Sequence, residues 1–162
     1  MIGVLDVEKG VSEMSDISLE QADSVVHGTL AAARKVGAAP LAVVVLDRAG
    51  HVVCVKREDG ATMFRFDIAL GKGWGAAAFG QSSRGLAAKA ARNPNFFSAL
   101  SATSRGRLLP NPGGVPIYDH SGNLVGAVGV SGDSGDKDEE FAISGIESAG
   151  LRMTSVQGAG GE

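Results

Sequence analysis

The chain reads as an α+β protein built on an antiparallel sheet. Two strand-like runs, Leu41–Leu46 and Val52–Lys56, flank the short turn Asp47-Arg48-Ala49-Gly50. Two more, Gly114–Tyr118 and Leu124–Val130, flank Asp119-His120-Ser121-Gly122-Asn123. Each pair is a hairpin signal with a glycine near the turn. Outside the hairpins, apolar residues recur at helical spacing. Hairpin, helices, hairpin, helix is the order that gives strands and helices in separate blocks around an antiparallel sheet.

The elements follow in order. Residues 1–16 read as a flexible arm, and 17–152 as the folded domain. Ser18 with Gln21 three residues on is a capping-box signature, so the first helix starts there and ends near Gly37. Leu19, Ala22, Val26, Leu30 and Ala33 form its apolar stripe; His27 lies off it, as a solvated side chain or a ligand facing a pocket or partner. Leu41–Leu46 is almost continuously apolar, which suits a strand covered on both faces. The second helix spans about Thr62–Phe79, with Met63, Phe66, Leu70, Trp74 and Ala77 as the expected core stripe. Ser82-Ser83 opens a further helical run to Arg92, which Asn93-Pro94 stops. Asn95–Ala102 is a short apolar turn or lid, and Ser101–Arg107 a polar loop. A last helix covers Asp136–Leu151, its early acids complementing the helix dipole, before a glycine-rich tail at 153–162.

Composition narrows the function. The 162 residues suffice for one domain with a proper core. A net charge of −3 argues against general nucleic-acid or anionic-membrane binding. No apolar run approaches the roughly 20 residues that span a bilayer, and the mixed N-terminus lacks a signal-peptide pattern, so a cytoplasmic protein is expected. One cysteine, Cys54, excludes an internal disulfide, and histidines at 27, 51 and 120 have no metal-ligand spacing, so no metal site is expected. The 24 glycines imply many turns and close backbone approaches, and permit tight contacts between subunits.

Three stretches carry candidate chemistry. Pro110, Pro112 and Gly113-Gly114 lead stiffly into the second hairpin, as a tight turn or as bare backbone whose N–H groups face a ligand. Lys72 sits in a second apolar stripe with Ile68, Gly75, Ala76 and Phe79. A helix apolar on two sides is buried on two sides, and a lysine there either snorkels to water or anchors an anion. Arg57, in the cluster Lys56–Gly60, suits a ligand carboxylate or an internal ion pair.

GGVPI, a turn, then VGAVGVSG and an acidic helix start resemble the GlcG/HbpS family, which includes the C-terminal domain of PduO-type proteins and is often labelled a heme-degrading domain. VVVLDRAGHVV, KREDG and DIALGKGWGAAAFG match in the same order, and the likeness covers roughly Leu19 to Leu151. The resemblance implies a profilin-like antiparallel sheet with helices on both sides, a homo-oligomer between dimer and octamer, and a pocket between the second helix and Gly113-Gly114. It places family positions on Arg57, Asp59, Gly60, Lys72, Asp138 and Glu139, and suggests that Arg107 faces the same pocket. Two functions follow from it. One is binding of heme or a related small ligand, possible degradation included, with His27 as iron ligand and Lys72 or Arg57 for propionates. The other is a cofactor-independent catabolic enzyme on a small organic acid: an isomerase, lyase or hydrolase. There Arg57 or Lys72 holds the carboxylate, Gly113 and Gly114 stabilise an oxyanion, and Asp138, Glu139 or Tyr118 moves a proton. That reading expects Lys72→Ala to abolish turnover without unfolding the protein.

Overall fold

The computed structural model describes residues 15–155. It contains α1 (Leu19–Lys35), β1 (Ala42–Asp47), β2 (Val52–Arg57), α2 (Phe64–Phe79), α3 (Ser83–Arg92), α4 (Pro94–Thr103), β3 (Gly114–Tyr118), β4 (Leu124–Ser131) and α5 (Gly135–Ser148). The four strands form one antiparallel sheet in the order β2-β1-β4-β3. The expected α+β class with helices on both sheet faces is what the chain adopts.

Strand alternation sends side chains to two layers. Val43 and Val45 of β1, Val128 and Val130 of β4, and Val115 and Ile117 of β3 join Val25, Val26, Phe141 and Ile146 in the larger core under α1 and α5. Ala42, Val44 and Leu46 face α2 on the other side, with Ala69. β1 is buried along its length up to Asp47, as its sequence predicted.

The capping box at Ser18 and Gln21 is present, and Val36 caps the far end of α1 with Gly37 beyond it at positive φ. Leu19 is an exception to the expected stripe: it is exposed, while Val25 and Thr29 are buried. α2 departs further. Met63 is 81% exposed, and Phe66, Leu70 and Trp74 are only partly covered. The buried face consists of Ala69, Gly71, Lys72, Gly73, Gly75, Ala76 and Ala77. Glycine is the reason. A Cβ on Gly129 would overlap the Ala69 carbonyl oxygen, and one on Gly73 would stand 3.0 Å from the Gly129 nitrogen. The helix therefore lies backbone-on-backbone against β4, and its larger side chains splay to the flanks.

Asn95–Ala102, expected as a turn or lid, is part of helix α4 with no buried residue. Asn93 caps it, accepting from the Phe96 N–H, and Pro94 fits its first turn, where no donor is needed. The proline that stops α3 thus starts α4. The last helix ends at Ser148, three residues short of its expected end, and the chain turns through Gly150 at positive φ. The arm and tail readings fall largely on 1–14 and 156–162, outside the described residues. Asp16 is held by Arg48, whose Nε donates to it at 2.8 Å.

Candidate functional site

Lys72 and Asp138 form a buried ion pair at 3.0 Å, with side chains 2% and 1% exposed. The ammonium also donates to the Val130 carbonyl at 3.0 Å, and Asp138 accepts the Asp133 N–H at 3.0 Å. Burial pushes the Asp138 carboxyl up, against the downward pull of Lys72 and of the Asp133 and Gly132 N–H groups. Two of the three ammonium donors are engaged and the side chain is buried, so the pair ties α2 to the start of α5.

Gly113 and Gly114 sit directly on this lysine. A Cβ on Gly113 would lie 2.7 Å from the Val130 oxygen and 2.8 Å from Lys72 Nζ, and one on Gly114 would overlap the Lys72 carbonyl. The space expected as a pocket between α2 and these glycines is filled by their own contact. Ser83 Oγ, buried, accepts the Gly114 N–H at 2.7 Å and donates to the Asn111 carbonyl at 2.6 Å. The Gly114 donor that an oxyanion site would use is engaged. The sequence marked Ser83 only as a helix start; nothing local shows that it bridges to residues 28 and 31 positions away.

The remaining candidates fall into separate places: Arg57 in one, Arg107 with Phe79 in a second, and Tyr118 with Glu139 in a third. Arg57 donates to the Ala61 carbonyl and lines a shallow surface hollow with Leu30, Lys56, Glu58 and Asp59. Arg107 stacks over Trp74 at 4.7 Å, donates to the Ser104 carbonyl, and shares a small apolar hollow of about 200 Å³ with Phe79 and Leu100. Tyr118 and Glu139 line one hollow of about 540 Å³, together with Gln81, Ser82, Val115, Pro116, Ile143 and Met153. The Tyr118 hydroxyl donates to the Gly80 carbonyl at 2.7 Å, and burial pushes its pKa up. Glu139 accepts from Arg84 Nε at 2.6 Å. Gln81, Ile143 and Met153 carried no signal in the sequence for a shared site.

His27 occupies a different kind of place. It is exposed on α1 and lines a groove of about 660 Å³ with Asp23, Gly28, Ala31, Ala32, Lys35, Val36, Ser144 and Ser148. Asp23, His27, Ala31 and Lys35 follow one another at four-residue intervals, so they form one stripe along the helix. α1 and α5 approach closely beside it: a Cβ on Gly145 would press on Thr29 and Val25, and one on Gly28 on Ser148. The His27 ring makes no hydrogen bond among the described residues, and its nearest charged neighbour along the stripe is Asp23. Asp23 is held by Lys56 Nζ at 2.8 Å, which lowers its pKa through that hydrogen bond first. An unengaged imidazole beside small residues and a lysine can ligate a metal centre on a flat apolar group.

Comparison with known proteins agrees with this fold. The model of the family described as "Haem degrading protein HbpS-like" matches residues 17–147. The chain belongs to this HbpS-like family. HbpS itself, from Streptomyces reticuli, has been solved as a double mutant; the likeness is 28% identical with a TM-score of 0.72, covering 91% of this chain and 96% of that one. The structure of a PduOC–heme complex superposes with a TM-score of 0.77 at 20% identity, over 86% and 99% of the two chains, and so shares the fold. An uncharacterised 15.0 kDa protein from the dhaT–dhaS intergenic region of Citrobacter freundii is 28% identical over 129 residues, 74% of this chain and 89% of its own. Among the described residues, no group of three or more His, Cys, Asp and Glu side chains could hold a bare metal ion, and no helix is long and apolar enough to cross a membrane.

Proposed function

We propose that this HbpS-like protein binds heme in the α1–α5 groove, with His27 as the iron ligand. The observation that carries the reading is the exposed, unengaged His27 at the centre of a groove floored by Gly28, Ala31 and Ala32. The residues fit the group. His27 supplies an imidazole nitrogen. The small side chains leave room for a planar ring. Lys35, eight residues along the same stripe and so about 12 Å along the helix, offers an ammonium for a propionate. Val36, 65% exposed at the rim, adds apolar cover. Bound heme would supply redox and oxygen chemistry at its iron. The family name and the PduOC–heme complex point the same way.

The groove's other polar groups are Asp23, Ser24, Ser144 and Ser148, and Asp23 is already engaged by Lys56. Binding, rather than breakdown of the ring, is what this geometry supports best. The organic-acid reading has no comparable assembly, because Lys72, Arg57 and Arg107 lie in separate places. Self-association is part of the proposal: Met63 and Phe64 are 81% and 62% exposed, side chains that a second copy would cover.

An absorbance titration with hemin, run on the wild type and on His27→Ala, tests the proposal. A saturable Soret change at one heme per chain is expected, weakened at least about tenfold in the variant, equivalent to about 1.4 kcal/mol. An unchanged titration in His27→Ala removes the ligand assignment, and no saturable change in the wild type removes heme.

A further inference from the structure

The Tyr118–Glu139 hollow lies on the other side of α5 from His27 and is not used by the heme reading. Its walls are mostly apolar: Val115, Pro116, Ile143 and Met153. Its size falls within the range of small-molecule pockets. Two of its polar groups, Glu139 and Tyr118, are held in place, and Ser82, Thr154 and Ser155 also line it. Arg84 clamps Glu139 through Nε at 2.6 Å and Asp136 through Nη2 at 2.5 Å. The Tyr118 hydroxyl is fixed on Gly80.

Gln81 differs in having a buried polar atom without a partner. Its Oε1 accepts from Lys89 Nζ at 2.8 Å. An ammonium only donates, so the amide oxygen must face Lys89 and the NH2 group must point the other way. That Nε2 is buried and has no hydrogen-bond partner among the described residues. Buried donors are nearly always paired, and because Gln81 belongs to the lining of the hollow, an acceptor bound there is one that this donor can reach. The last torsion of a glutamine side chain is soft, so a small turn presents the NH2 to the hollow.

We infer that this hollow is a binding site for a small neutral carboxamide on an apolar body. Gln81 Nε2 donates to its carbonyl oxygen. Glu139, which gives one oxygen to Arg84, keeps the other as an acceptor for the amide N–H. Val115, Pro116, Ile143 and Met153 hold the apolar part. A carboxylate ligand is disfavoured, because the oxygen of Glu139 that Arg84 leaves free is an acceptor and would face a second acceptor.

The test is two-dimensional NMR of the full chain titrated with benzamide, acetophenone and benzoate. Benzamide is expected to give saturable shifts at Val115, Ile143 and Met153, acetophenone weaker ones, and benzoate the weakest. Gln81→Met keeps the side chain's length without the donor and is expected to weaken benzamide at least about tenfold while leaving the hemin titration unchanged. Ile143→Trp, which fills the hollow, serves as a second variant and is expected to abolish the shifts. Equal or tighter binding of benzoate, undiminished binding to Gln81→Met, or no saturable shift at these residues overturns the inference. None of these results bears on His27, so this site and the heme groove fail separately.

Discussion

Replacing Asp138 with alanine is expected to threaten folding rather than a reaction. In the wild type its carboxylate faces Lys72 Nζ at 3.0 Å, out of water, and takes the Asp133 N–H at 3.0 Å. In Asp138→Ala the ammonium keeps only the Val130 carbonyl, and the Asp133 N–H loses its acceptor. Removing one partner of a buried ion pair costs about 3–5 kcal/mol, because a desolvated charge is left behind. That is a large part of the roughly 5–15 kcal/mol that holds a domain together. Urea unfolding at neutral pH measures it. The raised Asp138 carboxyl shows that burial works against the charged form, so the attraction is not a large net gain. The double variant Lys72→Met/Asp138→Ala removes the stranded charge, and should be at least about 1 kcal/mol more stable than the sum of the single effects. A loss below about 1 kcal/mol for Asp138→Ala, or strictly additive single effects, would refute the reasoning. The same logic turns the earlier expectation for Lys72→Ala around: the variant should lose stability, since it leaves Asp138 buried and unpaired.

Other outcomes follow from the same coordinates. Gly129→Ala, whose Cβ meets the Ala69 carbonyl, should exceed the usual ~1–3 kcal/mol of an overpacked core and be visible as a loss of soluble protein. Ser83→Ala leaves the Gly114 N–H without its acceptor and should lower stability by about 1–3 kcal/mol in urea. Asp119 in the β3–β4 turn is held below the usual carboxylate range, first by the backbone N–H of Asn123. Its ionised form therefore stabilises the fold, fully above the ordinary carboxylate pKa near ~3.9, and that contribution is lost as pH falls through the lowered folded value. The stability gap between wild type and Asp119→Ala should narrow on acidification, and a gap that widens would contradict the hydrogen-bond account.

What could be read from the chain was what its neighbours along the chain decide. The Ser18–Gln21 capping box and the two hairpins depend on residues a few positions apart, and the structure places them within a residue or two of expectation. The face of α2 could not be read that way. Its glycines pointed only to close approaches somewhere in the chain, and the fit of Gly73 to Gly129, of Gly71 to Leu109 and of Gly75 to Leu108 makes them the buried side. Asp138 looked like one of several acids at a helix start, until a lysine 66 residues away claimed it. For the candidate heme groove, the stripe from Asp23 to Lys35 was present in the spacing. Its second wall, Ser144 and Ser148 of α5, depends on the packing of Gly28 against α5.

The central claim concerns where heme sits. Gallium protoporphyrin is diamagnetic, so its contacts can be mapped by NMR on the labelled protein. Heme binding through His27 predicts saturable shifts concentrated at His27, Ala31, Ala32 and Lys35 on α1 and at Ser144 and Ser148 on α5, and their loss in His27→Ala. Shifts centred on Val115, Ile143 and Met153 instead, with α1 unmoved, would contradict it.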